Sequence, residues 1–278
     1  MKILVTGADG QLGADVVTEL KRRKISCRGI TRKDVDISDG PLTAELITSY
    51  APDAVIHCAA YTNVENAQED YMVCNAVNSG AVRTIAQTCR NIGAKMMYIS
   101  TDYVFPGTGD KPYETDAKKG PLNEYGLSKL AGEEAVKSIC TEYFIVRTSW
   151  VFSDHGKNFV STISKAADAG KTLRIVDDQT GSPTYTPDLA VLLCDMIMTD
   201  KYGIYHATNE GYCSFYEFAL EILKLKGCKV PVIPVKTSEY ESKAKRPLNS
   251  RLSKKSLDDA GFSRLPSWQD ALERYFKK

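Results

Sequence analysis

The chain of 278 residues has only three histidines, and none of its eight cysteines falls in a CxxC pair. A structural zinc ion needs four clustered nitrogen or sulfur ligands, so no metal site is expected from this composition. The cysteines (Cys27, Cys58, Cys74, Cys89, Cys140, Cys194, Cys213 and Cys228) show no disulfide spacing, and free thiols in a reducing cytoplasm are the expectation. No apolar run approaches the length of a membrane span. Met1 and Lys2 lead straight into strand-like residues with no signal-peptide pattern, which adds to a cytoplasmic expectation. No block of one charge sign stands out, and the net charge is +1, so neither nucleic acid nor a membrane surface is an expected partner. Internal repeats and low-complexity segments are missing too.

What remains is an ordinary globular composition, 43% hydrophobic and 26% charged, in a chain long enough for one large domain or two small ones. "KILVTG" (2–7) is a β-branched run ending at glycine and reads as a buried strand. "QLGADVVTELKRRK" follows, with Leu12, Val16, Val17 and Leu20 at helical spacing. "SCRGIT", "DAVIHCAA" (53–60), "AKMMYIST" (94–101) and "YFIVRTSWVF" (143–152) read as further strands. "NSGAVRTIAQTCRNIG" reads as a helix closed by Gly93. Strands alternating with helices imply βαβ units and a parallel sheet. Beyond Val151 the pattern loosens into turn-rich stretches, "DDQTGSPTYTPDLA" and "PVKTSEYESKAKRPLNSRLS". These are expected as loops or small elements hung on the sheet's C-terminal end, where open α/β sheets bind ligands.

Between the first strand and the first helix stands "TGADGQLG", with Gly7, Gly10 and Gly13. Such a turn lets backbone N–H groups and a helix N-terminus face a pyrophosphate. The spacing is GxxGxxG, not the GxGxxG of many dinucleotide dehydrogenases. At the end of the second strand, "ITRKDVDIS" places Arg32 and Lys33 before any acid. An arginine there accommodates a 2′-phosphate, as in NADPH, and an acid there holds the ribose of NADH. Asp34 is near enough to keep both cofactors open.

Tyr125 and Lys129 in "LNEYGLSKLAGEE" lie four apart, on one face of a helix. A nearby ammonium favours the phenolate, so a lowered Tyr125 pKa and a proton-transfer role are expected. About 25 residues earlier the "MMYIST" strand ends in Ser100 and Thr101, hydroxyls placed where substrate should lie. The cradle, the hydroxyl and YxxxK, in that order, are jointly specific.

In that order the sequence resembles the extended short-chain dehydrogenases/reductases acting on nucleotide sugars, and within them the dTDP-4-dehydrorhamnose reductase family. The likeness runs through "STDYVFPGTGDKPYETD", "PLNEYGLSKLAGE", "RTSWVF", "GKNF", "DDQTGSP" and "RPLNSRLS", so it covers nearly the whole chain. It implies a Rossmann-type doubly wound parallel sheet with a smaller substrate-binding α/β region at its C-terminal edge. The implied division is 1–152, with roughly 203–228, for the dinucleotide and 153–202 with 229–278 for the sugar nucleotide. It also implies reduction, by NADPH or NADH, of the C4 ketone of dTDP-6-deoxy-L-lyxo-4-hexulose to dTDP-L-rhamnose, a step of cell-surface polysaccharide biosynthesis.

The resemblance assigns residues as well. Tyr125 would protonate the alkoxide, Lys129 would hold the nicotinamide ribose, and Thr101 would hydrogen-bond the sugar. Gly7, Gly10, Gln11, Leu12 and Gly13 would form the cradle, with Arg32, Asp36 and Ile37 around the adenosine end. Ala59 and Ala60 would lie along the cofactor. Asp102 and Trp150 would contact the sugar nucleotide, although by residue type Trp150 reads as a core aromatic. Asn158, Gln179 and Arg246 are further substrate candidates, Arg246 because it can pair bidentately with a pyrophosphate. Some relatives resemble magnesium-linked homodimers with carboxylates from the first helix, a place held here by Asp15. Epimerases and dehydratases of the same fold are the nearest alternative, but dehydratases follow the threonine with Asp-Glu, and here Asp102 and Tyr103 follow it. The regulatory subunit of methionine adenosyltransferase, which resembles these reductases, is a non-catalytic alternative.

Overall fold

The computed structural model describes residues 1–277. In its first half strand and helix alternate: β1 (Lys2–Thr6), α1 (Gln11–Arg22), β2 (Ser26–Ile30), α2 (Gly40–Tyr50) and β3 (Ala54–His57). Helix α3 (Tyr71–Asn75) runs through a π turn at Ala76–Gly80 into α4 (Ala81–Ile92). Then come β4 (Lys95–Thr101), α5 (Glu124–Ile139) and β5 (Tyr143–Thr148). The second half has shorter strands: β6 (Val151–Phe152), β7 (Leu173–Val176), β8 (Thr180–Gly181), β9 (Thr184–Tyr185), β10 (Gly203–His206), β11 (Cys213–Ser214) and β12 (Val232–Val235). Its helices are α6 (Phe159–Asp168), α7 (Thr186–Ile197), α8 (Phe215–Lys226), α9 (Lys255–Ala260) and α10 (Trp268–Phe276).

Six strands form one parallel sheet in the order β10-β5-β4-β3-β1-β2. Strand β1, between β3 and β2, is buried on both faces, as parallel sheets require. Ile3 and Val5 point into one core, packed against Val16 and Leu20 of α1 and Leu189, Leu193 and Met196 of α7. Leu4 points the other way, to Ile47 of α2, Ile85 of α4 and Val136 of α5. The chain leaves β1 for β2 on one side and crosses to β3 on the other. This reversal opens a crevice at the strands' C-terminal ends, where ligands of such folds sit. A third core, built from Phe152, Ile163, Phe218, Ile222 and Trp268, gathers α6, α8 and α10 beside the sheet.

Two expectations change. The helix boundaries of the smaller region move: α7 belongs with the sheet because it covers α1, and α8 belongs with α6 and α10. The reason is local, since Leu189, Leu193 and Met196 form the apolar stripe that α1 needs. The expected strand 143–152 is broken, because Trp150 takes a left-handed conformation (φ 48°). That turn sends β6 away from the sheet to pair with β9.

Candidate active site

A cleft of about 910 Å³ opens at the C-terminal ends of the sheet strands. Its floor begins at the glycine turn. Gly7 has φ +65°, and a Cβ on it would fall 2.8 Å from the Ala59 Cα; a Cβ on Gly13 would lie 2.1 Å from the Gly7 carbonyl oxygen. No side chain fits at either position. Helix α1 starts at Gly10 with no side-chain cap and no acid in its first turn. Its orphan N–H groups and positive dipole end therefore face the cleft, a cradle shaped for a dinucleotide pyrophosphate. The Thr6 hydroxyl accepts from the Ala59 N–H (3.1 Å), joining the ends of β1 and β3. Gly10, Gln11, Leu12, Ala59 and Ala60 all line the cleft.

At the end of β2, Arg32, Asp36 and Ile37 line the cleft, but Asp34 does not. The Asp34 carboxylate turns back to accept from the Thr31 N–H and hydroxyl, at 2.9 and 3.0 Å. Asp36 is likewise engaged, by the N–H and hydroxyl of Ser38. Arg32 is the basic group left at this rim.

Helix α5 positions the YxxxK pair. Its N-cap, Asn123, accepts from the Gly126 N–H (2.9 Å) and donates to the Lys245 carbonyl (2.8 Å), which fixes the start of the helix against a distant loop. Tyr125 and Lys129 both line the cleft, together with Ser100 and Thr101 from the end of β4. The Lys129 ammonium donates to the Ile99 carbonyl (2.8 Å) and lies 4.2 Å above the Tyr98 ring. Burial pulls its pKa down to about 7, with the Glu133 carboxylate acting in the opposite direction.

The lowered Tyr125 pKa is not found. Burial pushes this phenol well above its ordinary value, with the Thr101 side chain opposing as a hydrogen-bond partner. Lys129 points to Ile99 and not to the phenol, so it supplies no compensating charge. Tyr125 therefore stands as a neutral donor. Beside it, the Thr101 hydroxyl donates to Asp102 Oδ1 (3.0 Å), and Tyr103 packs edge-on against the Tyr125 ring at 5.5 Å. Burial raises the Asp102 carboxyl to about 6, opposed by Ser250 and Thr101.

On the substrate side, Trp150 lines the cleft and stacks on Phe215 at 3.7 Å, so the bland expectation of a core aromatic is half right. Asn158 caps α6 and donates to Gln11 (3.1 Å), joining the small region to the cradle. Arg246 lines the cleft as well. Gln179 does not: it is buried, and its amide donates to the Thr237 hydroxyl (3.1 Å). Asp15 accepts from the Thr186 hydroxyl and lies 3.5 Å from His155. Among the described residues of this one chain no group of three His, Cys, Asp or Glu side chains that could hold a metal ion occurs. Sequence reasoning missed Phe215, Lys157, Val64 and Thr62 in the lining. Lys157 lies within the quoted "GKNF" block; Phe215 had no local signal.

The family model of the RmlD substrate binding domain matches residues 1–278. The chain belongs to this family. A Streptomyces griseus dTDP-4-dehydrorhamnose reductase is 38% identical over 98% of this chain and 92% of its own length. The Bacillus subtilis (strain 168) spore coat polysaccharide biosynthesis protein SpsK is 40% identical, over 100% of this chain and 97% of its own. The crystal structure of a Bacillus anthracis dTDP-4-dehydrorhamnose reductase in complex with NADP superposes with a TM-score of 0.97 at 39% identity, covering 100% of this chain and 99% of that one. As a member of this family the chain has the Rossmann-type extended short-chain dehydrogenase/reductase fold.

Proposed function

We propose that this protein is an NAD(P)H-dependent oxidoreductase that reduces the C4 ketone of dTDP-6-deoxy-L-lyxo-4-hexulose, giving dTDP-L-rhamnose. The observation that carries the reading is the convergence of Thr101, Tyr125 and Lys129 with the glycine cradle in one cleft, in a chain that matches the reductase family along its length. When bound, the reduced nicotinamide supplies a hydride. Gly7, Gly10, Gln11, Leu12 and Gly13 would hold the pyrophosphate, Arg32, Asp36 and Ile37 the adenosine end, and Ala59 and Ala60 the flank. Thr101 hydrogen-bonds the sugar, and the neutral Tyr125 phenol gives the developing alkoxide its proton. A donor already aimed at a developing oxyanion is worth most inside a water-poor cleft. Lys129 holds the ribose side. Asp102, Trp150, Asn158 and Arg246 contact the sugar nucleotide; Gln179 acts only through the loop it braces. Tyr103 fills the place where a dehydratase carries glutamate, which supports simple reduction.

A cytoplasmic site of action fits the eight free cysteines. Among the described residues no helix is long and apolar enough to cross a membrane. The reading includes a homodimer, supported by the exposed apolar side chains of Tyr71, Met72 and Val73 on α3 near Leu127 on α5.

The test is direct. Purified protein given the 4-keto sugar nucleotide and either reduced cofactor should lose the nicotinamide absorbance band, and an unchanged band would overturn the reading. The engagement of Asp34 supports NADPH as the better cofactor. Arg32→Ala should raise the KM for NADPH roughly tenfold or more, the size of a lost charge-assisted contact, and leave that for NADH nearly alone. Equal changes for both cofactors would remove Arg32 from the 2′-phosphate.

A further inference from the structure

Arg246 does not hold its position alone. It sits in an irregular stretch between β12 and α9 whose only regular turn is the 3-10 turn Thr237–Glu239. No ladder of backbone hydrogen bonds fixes such a segment. Side chains from elsewhere do: Asn123 donates to the Lys245 carbonyl (2.8 Å), and Glu65 makes the larger set of contacts. Glu65, in the loop after β3, accepts at Oε1 from the Ser242 hydroxyl (2.7 Å) and the Arg246 guanidinium (2.5 Å). At Oε2 it accepts from the Lys243 N–H (2.8 Å) and the Ala244 N–H (3.4 Å). Lys243 adds an ion pair to Glu69 (2.6 Å), one turn further along the same loop. From the other side, the Arg246 guanidinium donates to the Tyr103 hydroxyl at 3.3 Å.

We propose that Glu65 is a positioning residue for Arg246: its carboxylate clasps the segment 242–246 to the loop after β3 and so presents the guanidinium, already oriented, to the diphosphate of the sugar nucleotide. The inference rests on the functional reading above.

The chemistry of the two groups supports it. A guanidinium has five N–H donors in a planar fork, and the contacts to Glu65 and Tyr103 use two of them. The others stay free for a second anion, and bidentate pairing with phosphate oxygens suits that geometry. Burial alone would raise the Glu65 carboxyl, but Ser242, the guanidinium and the Lys243 N–H outweigh it and hold the group below its ordinary value. Glu65 is thus ionised at neutral pH and keeps its grip there. It also joins two halves of the cleft. Thr62 and Val64, just before it, line the cleft in the loop that follows Ala59 and Ala60, and Arg246 lines the other wall. Without the clasp, ordering the segment would be charged to substrate binding, because immobilising a loop weakens affinity even when every final contact is the same. The opposite effect, repulsion between Glu65 and the diphosphate, predicts tighter binding once the carboxylate is gone, so the two can be told apart by sign.

The experiment is a calorimetric titration of dTDP and of NADPH into the wild type, Glu65→Ala, Arg246→Ala and the double variant. Steady-state kinetics with the 4-keto sugar nucleotide accompany it. In Glu65→Ala, dTDP should bind about tenfold more weakly and the KM for the sugar nucleotide should rise to match. NADPH affinity should not change, which also shows that the variant is folded, and kcat should stay within about twofold. The double variant should be no worse than Arg246→Ala, since Glu65 acts through that arginine and coupled residues are not additive. Glu65→Gln, which keeps an acceptor oxygen but no charge, should fall between. Tighter dTDP binding, no change, or fully additive losses would each overturn the inference. If the wild type itself bound no dTDP, the functional reading would fall and the inference with it; loss of the Glu65 effect alone leaves that reading intact.

Discussion

Tyr125→Phe should leave a folded, cofactor-binding protein whose turnover falls about 10²- to 10⁴-fold, the usual loss for a missing general acid. The ring's edge-on contact with Tyr103 survives the substitution, so packing is kept. What goes is a phenol hydroxyl that burial holds in its protonated form beside Thr101. The loss should fall on kcat and kcat/KM alike, as for a contact made only in the transition state. Lys129→Met should differ. It would remove the proposed ribose contact, so cofactor affinity should fall together with rate. It should also change the pH response. With a pKa drawn down to about 7, Lys129 sheds its charge as pH rises through neutrality, and NADPH binding should weaken over that interval in the wild type only. Cofactor titrations at pH 6 and 8.5, with kcat for each variant, check both. Near-normal turnover in Tyr125→Phe, or a cofactor defect as deep as that of Lys129→Met, would reassign these roles.

Glu133→Gln should lower stability by about 3–5 kcal/mol, the range for breaking a buried ion pair from one side. Glu133 and Arg147 are almost fully buried and meet in a two-point pairing, Nε to Oε1 and Nη2 to Oε2, both 2.7 Å. Ser100 donates to the same carboxylate (2.6 Å), and Arg147 also donates to the Thr115 carbonyl (2.8 Å). With the carboxylate gone, the guanidinium stays in the interior without its counter-charge. Replacing both partners, as in Glu133→Leu with Arg147→Met, should recover much of the loss. Urea denaturation of the three proteins measures this, and an unchanged midpoint for Glu133→Gln would show that the pair contributes little.

Acid works on the same cluster. Burial first, and then Arg147, hold the His206 pKa well below its ordinary value. The unfolded chain takes up that proton near pH 6.5 and the folded chain does not. His206 therefore lowers stability progressively below pH 6.5, by about 1.4 kcal/mol per pH unit.

The parts of the site that could be read from the sequence are those whose geometry is local. The glycine spacing of Gly7, Gly10 and Gly13 belongs to one turn, and the Tyr125–Lys129 spacing belongs to one helix. Helical periodicity likewise gave Leu12, Val16 and Leu20 the buried face of α1. What could not be read depends on distant contacts. Phe215 reaches the cleft by stacking on Trp150, 65 positions earlier, which periodicity cannot show. Glu65 reads as a surface acid until residues 242–246 are laid against it. The break at Trp150 was hidden because both sides of it are apolar and strand-forming. The direction of the Tyr125 shift was misjudged for a related reason. Spacing along the helix puts Lys129 on the same face as the phenol, but only the folded chain shows its ammonium turned to Ile99.

The placement of α7 also bears on synthesis. The first five sheet strands are complete by Thr148, yet the apolar side of α1 is covered by residues of α7, and the sheet's edge beyond β5 by β10. A nascent chain that has left the ribosome as far as residue 150 has made the whole glycine turn and the YxxxK helix. It still lacks the α7 side chains that pack on α1 beside Val16 and Leu20, and it leaves the edge of β5 unpaired. The stretch between, including α6 and β7, must emerge before either gap closes. Translation therefore passes through an interval of some fifty residues in which Tyr125 and Lys129 are already made but α1 and the edge of β5 lack their cover, and this is when a chaperone would find the most to hold.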